Sequence, residues 1–209
     1  NLSANGNENV KEDDAITAQI DSLQKIADNF FNAKDFHQSL KYYTLISELR
    51  KKQFDEKHPE YAYSLALIAN CHYFLTNYDI AFKHLQEAAS IIECSLGNKH
   101  SDYAACLYSM SSCCHALRQY DDALKYAHEA LIIRENTPGK ESIDYAKSLN
   151  SIASLYFLLE KYDNAINYGQ QALDLFSKLE TKNSSNYVEA LSNLATYYYY
   201  SGNINTAIS

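Results

Sequence analysis

Tyr61, Tyr103, Tyr145 and Tyr187 stand 42 residues apart, and each opens a stretch with the same order of apolar, small and polar positions. One more step back falls on Gln19, where QIDSLQKIADNFFNAKDF follows the same template with a weaker first residue. No insertion or deletion interrupts the series. A fixed period of about 20–50 residues marks a chain whose units stack on their neighbours, because one such unit cannot bury its apolar face alone. Composition agrees with helical units. Apolar residues make up 46% of the chain, while two prolines and five glycines are too few for the tight turns of an all-β fold.

Numbering each unit from 1 at Gln19, Tyr61, Tyr103, Tyr145 and Tyr187 turns the repeats into columns. Position 5 is Leu23, Leu65, Leu107, Leu149 and Leu191, and position 8 is Ile26, Ile68, Met110, Ile152 and Leu194. Position 9 is small throughout (Ala27, Ala69, Ser111, Ala153, Ala195), and position 12 is Phe30, His72, Cys114, Tyr156 and Tyr198. The 5-8-9-12 spacing traces one face of a helix, here helix A, with its small column where a neighbour can come close. A break follows at positions 16–17, then an aromatic residue (Phe36, Tyr78, Tyr120, Tyr162, with Ile204 in the last unit). Asp79, Asp121 and Asp163 come next and place negative charge at the start of a helix B. Helix B has a small column at position 21 (Ser39, Ala81, Ala123, Ala165, Ala207) and larger residues at position 22, ending in Ile208. Its later columns are position 28 (Ile46, Ala88, Ala130, Ala172) and position 31 (Leu49, Ile91, Ile133, Leu175).

Short polar loops close the units: 55–60, 97–102, 139–144 and 181–186. Gly97 and Gly139 suit helix ends that need a positive φ, Pro59 suits a first helical turn, and Ser142 and Ser184 suit caps. The expected organisation is a polar N-terminal extension over 1–13, partly ordered at best, followed by a repeat domain over 14–209. That domain holds units 19–60, 61–102, 103–144 and 145–186 and a partial unit 187–209. Starting at Asn1 and stopping inside a unit, the chain reads as a piece of something longer.

The columns also carry a resemblance. Leu149-x-x-Ile152-Ala153-x-x-Tyr156, then Ala165 and Ala172, resembles the tetratricopeptide repeat pattern, with Leu in place of its Trp. Leu65-x-x-Ile68-Ala69-x-x-His72, then Ala81 and Ala88, repeats it. The 42-residue length, with Leu96-Gly-Asn-Lys-His100 and Lys57-His58-Pro59 at the junctions, is similar to the long variety found in kinesin light chains and in bacterial sensors. The resemblance implies an all-α, right-handed α-solenoid of tandem helix-turn-helix repeats over about residues 19–209. It also implies a concave groove, lined by the A helices, that holds peptides.

Carried over column by column, the groove-facing positions are 3, 6, 10, 13 and 14. Position 13 gives an aromatic ladder (Phe31, Tyr73, His115, Phe157, Tyr199), and position 10 gives a polar one (Asp28, Asn70, Ser112, Ser154, Thr196). Position 6 adds Gln24, Ala66, Tyr108, Asn150 and Ser192. Aromatic rings flanked by small hydrogen-bonding groups suit peptide recognition, since they give contact area at low entropy cost. The expected binding set is therefore Asn70, Tyr73, Tyr108, Ser112, His115, Asn150, Ser154, Phe157 and Tyr199. The competing expectation is that position 13 packs between helices. These columns offer only Lys147, with Lys25 beside them, so neither the carboxylate clamp of the family's chaperone-binding members nor a groove for acidic peptides is expected.

Other constellations favour structural roles. Cys106 and Cys113 are about two helical turns apart, Cys113, Cys114 and His115 point in different directions around the helix, and no C-x-x-C or H-x-x-x-H spacing occurs, so they read as core residues rather than metal ligands. His58 and His100 read as junction residues, and Asp121-Asp122 as helix-start charge. In the run Tyr197–Tyr200 some rings must face away from the core. A net charge of −8 disfavours non-specific nucleic-acid binding and anionic membranes. No run of about 18 apolar residues exists to span a bilayer. Five cysteines without paired spacing lean towards a reducing compartment. No phosphate loop, nucleophile elbow or triad is visible, and no cofactor is implied. The expected function is a non-enzymatic scaffold that binds a protein or peptide partner. The alternatives are a sensory or regulatory segment of a larger signalling protein, or an oligomerisation arm that pairs as a homodimer.

Overall fold

The computed structural model describes residues 2–179 and 184–203, with side chains from Asp13 onward except Pro138. The described residues are helical, with no strand among them, and divide into two compact units, residues 1–98 and 99–209. The first holds α1 (Leu2–Asn32), α2 (Phe36–Phe54), α3 (Pro59–Phe74) and α4 (Tyr78–Leu96). The second holds α5 (Ser101–Ala116), α6 (Tyr120–Arg134), α7 (Ile143–Leu158), α8 (Tyr162–Leu179) and α9 (Ser185–Tyr200). A π-type turn, Glu135–Gly139, follows α6. Odd-numbered helices are the A helices and even-numbered ones the B helices, and within each unit every helix packs on the next in sequence. The fold is thus the expected all-α series of helix-turn-helix repeats, of the α-solenoid class. Ile204, Ala207, Ile208 and loop residues 181–183 lie outside the described residues.

The helices begin and end where the side chains dictate. Ser142 and Ser184 cap α7 and α9, each accepting a hydrogen bond from the main-chain N–H three residues on (Tyr145, Tyr187) at 3.2 Å. At the equivalent starts of α3 and α5 the cap is an imidazole. His58 Nδ1 and His100 Nδ1 accept from the N–H groups of Glu60 and Asp102, both at 3.2 Å. Gly97 and Gly139 lie at φ 92° and 107°, the backbone only glycine adopts cheaply. The helix α1 starts well before the apolar period, carrying helical backbone through the polar residues from Leu2. Once a packed turn has formed, adding a turn costs little.

Every A helix ends in the same way. At position 16, Lys34, Thr76, Arg118 and Glu160 have φ between 59° and 63°, and Gly202 has 86°. The next N–H reaches back to the carbonyl five residues earlier: Asp35 to Phe30, Asn77 to His72, Gln119 to Cys114, Lys161 to Tyr156 and Asn203 to Tyr198, all at 2.9 Å. This double-bonded reversal supplies partners for the orphan carbonyls of the helix end and turns the chain into helix B.

The small columns mark where helices A and B meet. Ala81, Ala88, Ala123, Ala130, Ala165 and Ala172 are fully buried. Where serine replaces alanine, its hydroxyl donates to the carbonyl across the same contact: Ser39 Oγ to Ala27 O at 3.0 Å, and Ser111 Oγ to Ala123 O at 2.8 Å. A buried hydroxyl costs stability unless paired, and this pairing removes the cost. Leu65, Leu107 and Leu149 are buried at equivalent sites, as their column predicts, Leu149 at 1% exposure. Leu191, in the last unit, departs from the column at 47%. Leu107 packs with Ala130 and Ile133, residues at positions 28 and 31 of its own helix B.

Two buried arginines stand apart from the apolar columns. Arg50 Nη1 donates to Ser64 Oγ at 3.1 Å and to Glu60 O at 3.4 Å, with Glu60 Oε2 3.3 Å from Nη2. Arg134 Nη1 donates to Ser148 Oγ at 2.7 Å and Asp144 O at 3.0 Å, and its guanidinium lies 4.5 Å over the Tyr108 ring. Each ties a helix B to the following helix A within one compact unit.

Candidate functional site

In the first unit, Asn70 is exposed on α3, and Tyr73, one turn on, is half-buried. The Tyr73 ring meets Tyr78 edge-on at 5.3 Å and Phe74 at 5.6 Å. On α1, Asp28 accepts from Tyr43 Oη at 2.6 Å and from Gln24 Nε2 at 2.8 Å. Burial and the Asp28 carboxylate together push the Tyr43 phenol well above its usual range. Asp28 therefore joins helices A and B.

In the second unit, α5 carries Tyr108, Ser112 and His115. Tyr108 lies under Arg134, its hydroxyl accepting from Ser151 Oγ at 3.2 Å, and Ser112 Oγ donates back to Tyr108 O at 3.2 Å. His115 is exposed, 6.1 Å from the Tyr120 ring. On α7, Asn150 Nδ2 donates to Glu189 Oε1 at 3.2 Å, while its Oδ1 is shielded from solvent and has no hydrogen-bond partner. Ser154 Oγ bonds Tyr197 Oη at 3.0 Å. Phe157 is half-buried against Tyr197 at 5.1 Å, Tyr200 at 5.3 Å and Tyr162 at 5.9 Å. Tyr199, on α9, is 59% exposed.

The two ladders therefore divide their labour. Position 13 packs on the aromatic residue at position 18 across each A–B turn: Phe31 on Phe36, Tyr73 on Tyr78, His115 on Tyr120, Phe157 on Tyr162. The aromatic column after the break carries the signal for this pairing, which the groove carry-over passes over. Asn70, His115 and Tyr199 face solvent, and Asn150 keeps an unpaired oxygen. Tyr108 and Ser154 are engaged in helix-to-helix contacts.

The tyrosine run splits as its spacing requires. Tyr197 is 2% exposed, filling the space left by Gly169, where an added Cβ would meet Tyr197 Cε2 and Leu194 Cδ1 at 3.3 Å. Cys106, Cys113 and Cys114 are buried in the core, and burial holds their thiols up at about 12, 12 and 11, whereas Cys94 is exposed. No group of three or more His, Cys, Asp or Glu among the described residues is placed to hold a metal ion, and no described helix is long and apolar enough to cross a membrane.

No curated protein matches the chain by sequence. Solved structures do match its fold. A Podosopora anserina protein of kinesin light chain type, with nearly identical TPR-like repeats, superposes with a TM-score of 0.76 at 16% identity over 90% of each chain. BtubC from P. vanneervenii gives 0.70 at 16% identity over 95% of this chain and 86% of its own. A Rap protein complexed with competence and sporulation factor gives 0.73 at 18% identity over 89% of this chain, which spans 50% of the Rap chain. At such identities the likeness is one of fold. The sequence match is of another kind, because the tetratricopeptide repeat model aligns to residues 17–93, 65–136, 102–178 and 144–209, four overlapping windows that run through the repeats. The chain belongs to the tetratricopeptide repeat family, whose fold is of the protein-interaction scaffold type.

Proposed function

We propose that the repeats over 14–209 bind a segment of a protein or peptide partner along the A-helix face of each compact unit. Asn70 and Tyr73 serve in the first unit. Tyr108, Ser112, His115, Asn150, Ser154, Phe157 and Tyr199 serve in the second. The observation that carries this reading is Asn150. Its amide is anchored on one side by Glu189, while Oδ1 is shielded and unpaired. Leaving such an oxygen without a donor costs about 1–3 kcal/mol. A small rotation that meets a main-chain N–H of a bound segment recovers this. Exposed His115, Asn70 and Tyr199 add ring and amide surface on the other A helices α5, α3 and α9. The Rap protein, complexed with competence and sporulation factor, is an example of this repeat fold holding a partner.

The test is retention of partners from a source-cell lysate by the chain and by Asn150→Ala and Asn70→Ala/His115→Ala variants. Tyr73 and Phe157 are poorer probes, because their rings also pack on Tyr78 and Tyr162. Asn150→Ala removes the unpaired oxygen, so the melting temperature stays or rises while a groove-bound partner is lost. Retention of every partner by both variants would refute the reading.

A further inference from the structure

An open cleft of about 370 Å³ lies at the A–B turn of the fourth repeat, lined by Glu160, Lys161, Tyr162, Asp163, Asn164 and Ser201. It lies at the turns, apart from Asn150, which carries the functional reading above, while Phe157 and Tyr199 of that reading pack on Tyr200 beside it. Its lining holds one aromatic ring, Tyr162, which neighbours Tyr200. Tyr200 is 58% exposed, with its ring centroid 6.4 Å from that of Tyr162 and the two rings inclined by only 30°. Tyr199, equally open, meets Tyr200 edge-on at 5.5 Å. Exposed rings grouped in this way, beside a cleft, are a contact surface rather than scattered apolar residues.

The charges select the occupant. Glu160 and Asp163 contribute two carboxylates and Lys161 one ammonium. The first N–H groups of α8 add a positive end of about half a charge, which Asp163, in the first helical turn, already faces. The balance is negative. The ring faces of Tyr162 and Tyr200 add to it, since each attracts a cation within about 6 Å of its centroid. The net charge of −8 steers cations towards the chain as a whole. An arginine or lysine side chain meets all these demands, laying its apolar stem along the rings and its charged head at the carboxylates. From these observations we infer that the fourth A–B turn docks a basic segment of a protein partner, holding an arginine or lysine side chain between Tyr162, Tyr200 and the carboxylates of Glu160 and Asp163.

The probe is a labelled octapeptide of alternating arginine and leucine, acetylated and amidated at its ends, read by fluorescence anisotropy at low salt against a counterpart with glutamate for arginine. The arginine peptide binds and the glutamate peptide does not. Glu160→Gln/Asp163→Asn weakens binding about fivefold, and Tyr200→Ala weakens it too. Lys161→Gln, which removes the opposing charge, tightens it. Glu87→Gln/Glu93→Gln makes the same change in net charge on exposed positions of α4 and leaves the affinity within about twofold. Circular dichroism checks that each variant keeps its helix content. Failure of the arginine peptide to bind, equal or better binding of the glutamate peptide, or an equal loss in the α4 control would each overturn the assignment. None of these results bears on Asn150, and Glu160→Gln/Asp163→Asn leaves the A-helix columns untouched; Tyr200→Ala, which removes a neighbour of Phe157 and Tyr199, is the one variant that touches both readings.

Discussion

Thr76 holds a left-handed backbone, φ 63°, that glycine would hold without cost. An L-residue in this region places Cβ against the following carbonyl oxygen, which costs about 1–2 kcal/mol, and β-branched residues are genuine outliers there. Thr76→Gly removes that term. Against it stands the greater freedom of glycine in the unfolded chain, about 0.4–1 kcal/mol. Little else changes. The side chain is exposed, and the bonds that make the turn, Asn77 N–H to His72 O at 2.9 Å and Thr76 N–H to Tyr73 O at 3.0 Å, belong to the main chain. The net expectation is a gain of about 0.5–1 kcal/mol, which for a chain of this size raises the melting temperature by about 1–4 °C. Thermal and urea unfolding followed by circular dichroism measure it, the urea midpoint serving because repeat arrays depart from two-state melting. Thr76→Ala is the control. It removes the branch, keeps a Cβ at positive φ, and so recovers less than glycine does. A lower midpoint for Thr76→Gly with unchanged helix content would refute the argument, because it would mean that the threonine side chain contributes more than its backbone strain costs.

The arginine ties lead to a second expectation: Ser148→Ala leaves the buried Arg134 guanidinium short of an acceptor and costs about 1–3 kcal/mol, measurable as a lower urea midpoint. Gly169→Val forces two methyl groups onto Leu194 and Tyr197 and destabilises by about 1–3 kcal/mol. By contrast, Gly169→Ala is close to neutral, because its helical gain of about 1 kcal/mol offsets the squeeze. Acidity supplies a fourth. Burial holds His72, His84 and His128 below the ordinary imidazole value of 6.5, the neighbouring His84 adding to the effect on His72 and Glu87 partly opposing it on His84. At pH 7.5 these imidazoles are neutral in both states. Below about 6.5 the unfolded chain takes up protons that the folded chain refuses, so stability falls as pH falls towards the folded values. Melting temperatures between pH 7.5 and 5.5 read this slope, and replacing the three histidines by glutamine flattens it.

Much of the fold was legible because it rests on columns of one residue type. Leucine at position 5 and the small residues at positions 9 and 21 report apolar burial and close approach directly in the middle units, where Leu65, Leu107 and Leu149 and their alanines and serines are buried. The turn at positions 16–17 was legible as a break but not as a left-handed residue. Lysine, threonine, arginine and glutamate occupy it in the first four units, and none of them announces a positive φ as glycine does. The role of the position 13 ladder was not legible. An aromatic column is consistent with both contact area and packing, and the structure shows both settings, Tyr73 and Phe157 packed on the position 18 rings and His115 and Tyr199 exposed. The arginines were the least legible, since an isolated arginine near a helix end reads as surface. Arg50 and Arg134 occupy position 32, which is Ile92 and Phe176 in the alternate units, and each finds a serine hydroxyl 14 residues downstream, at position 4 of the next unit. The backbone of this chain repeats every 42 residues, but its buried polar ties repeat every second unit. A buried guanidinium needs its acceptor to survive, so this longer period links particular repeats as partners. Moving a unit by one place in the series would strand the charge, although every apolar column would still match. A stack whose apolar columns are nearly interchangeable thus gains a fixed order from two arginines and two serines.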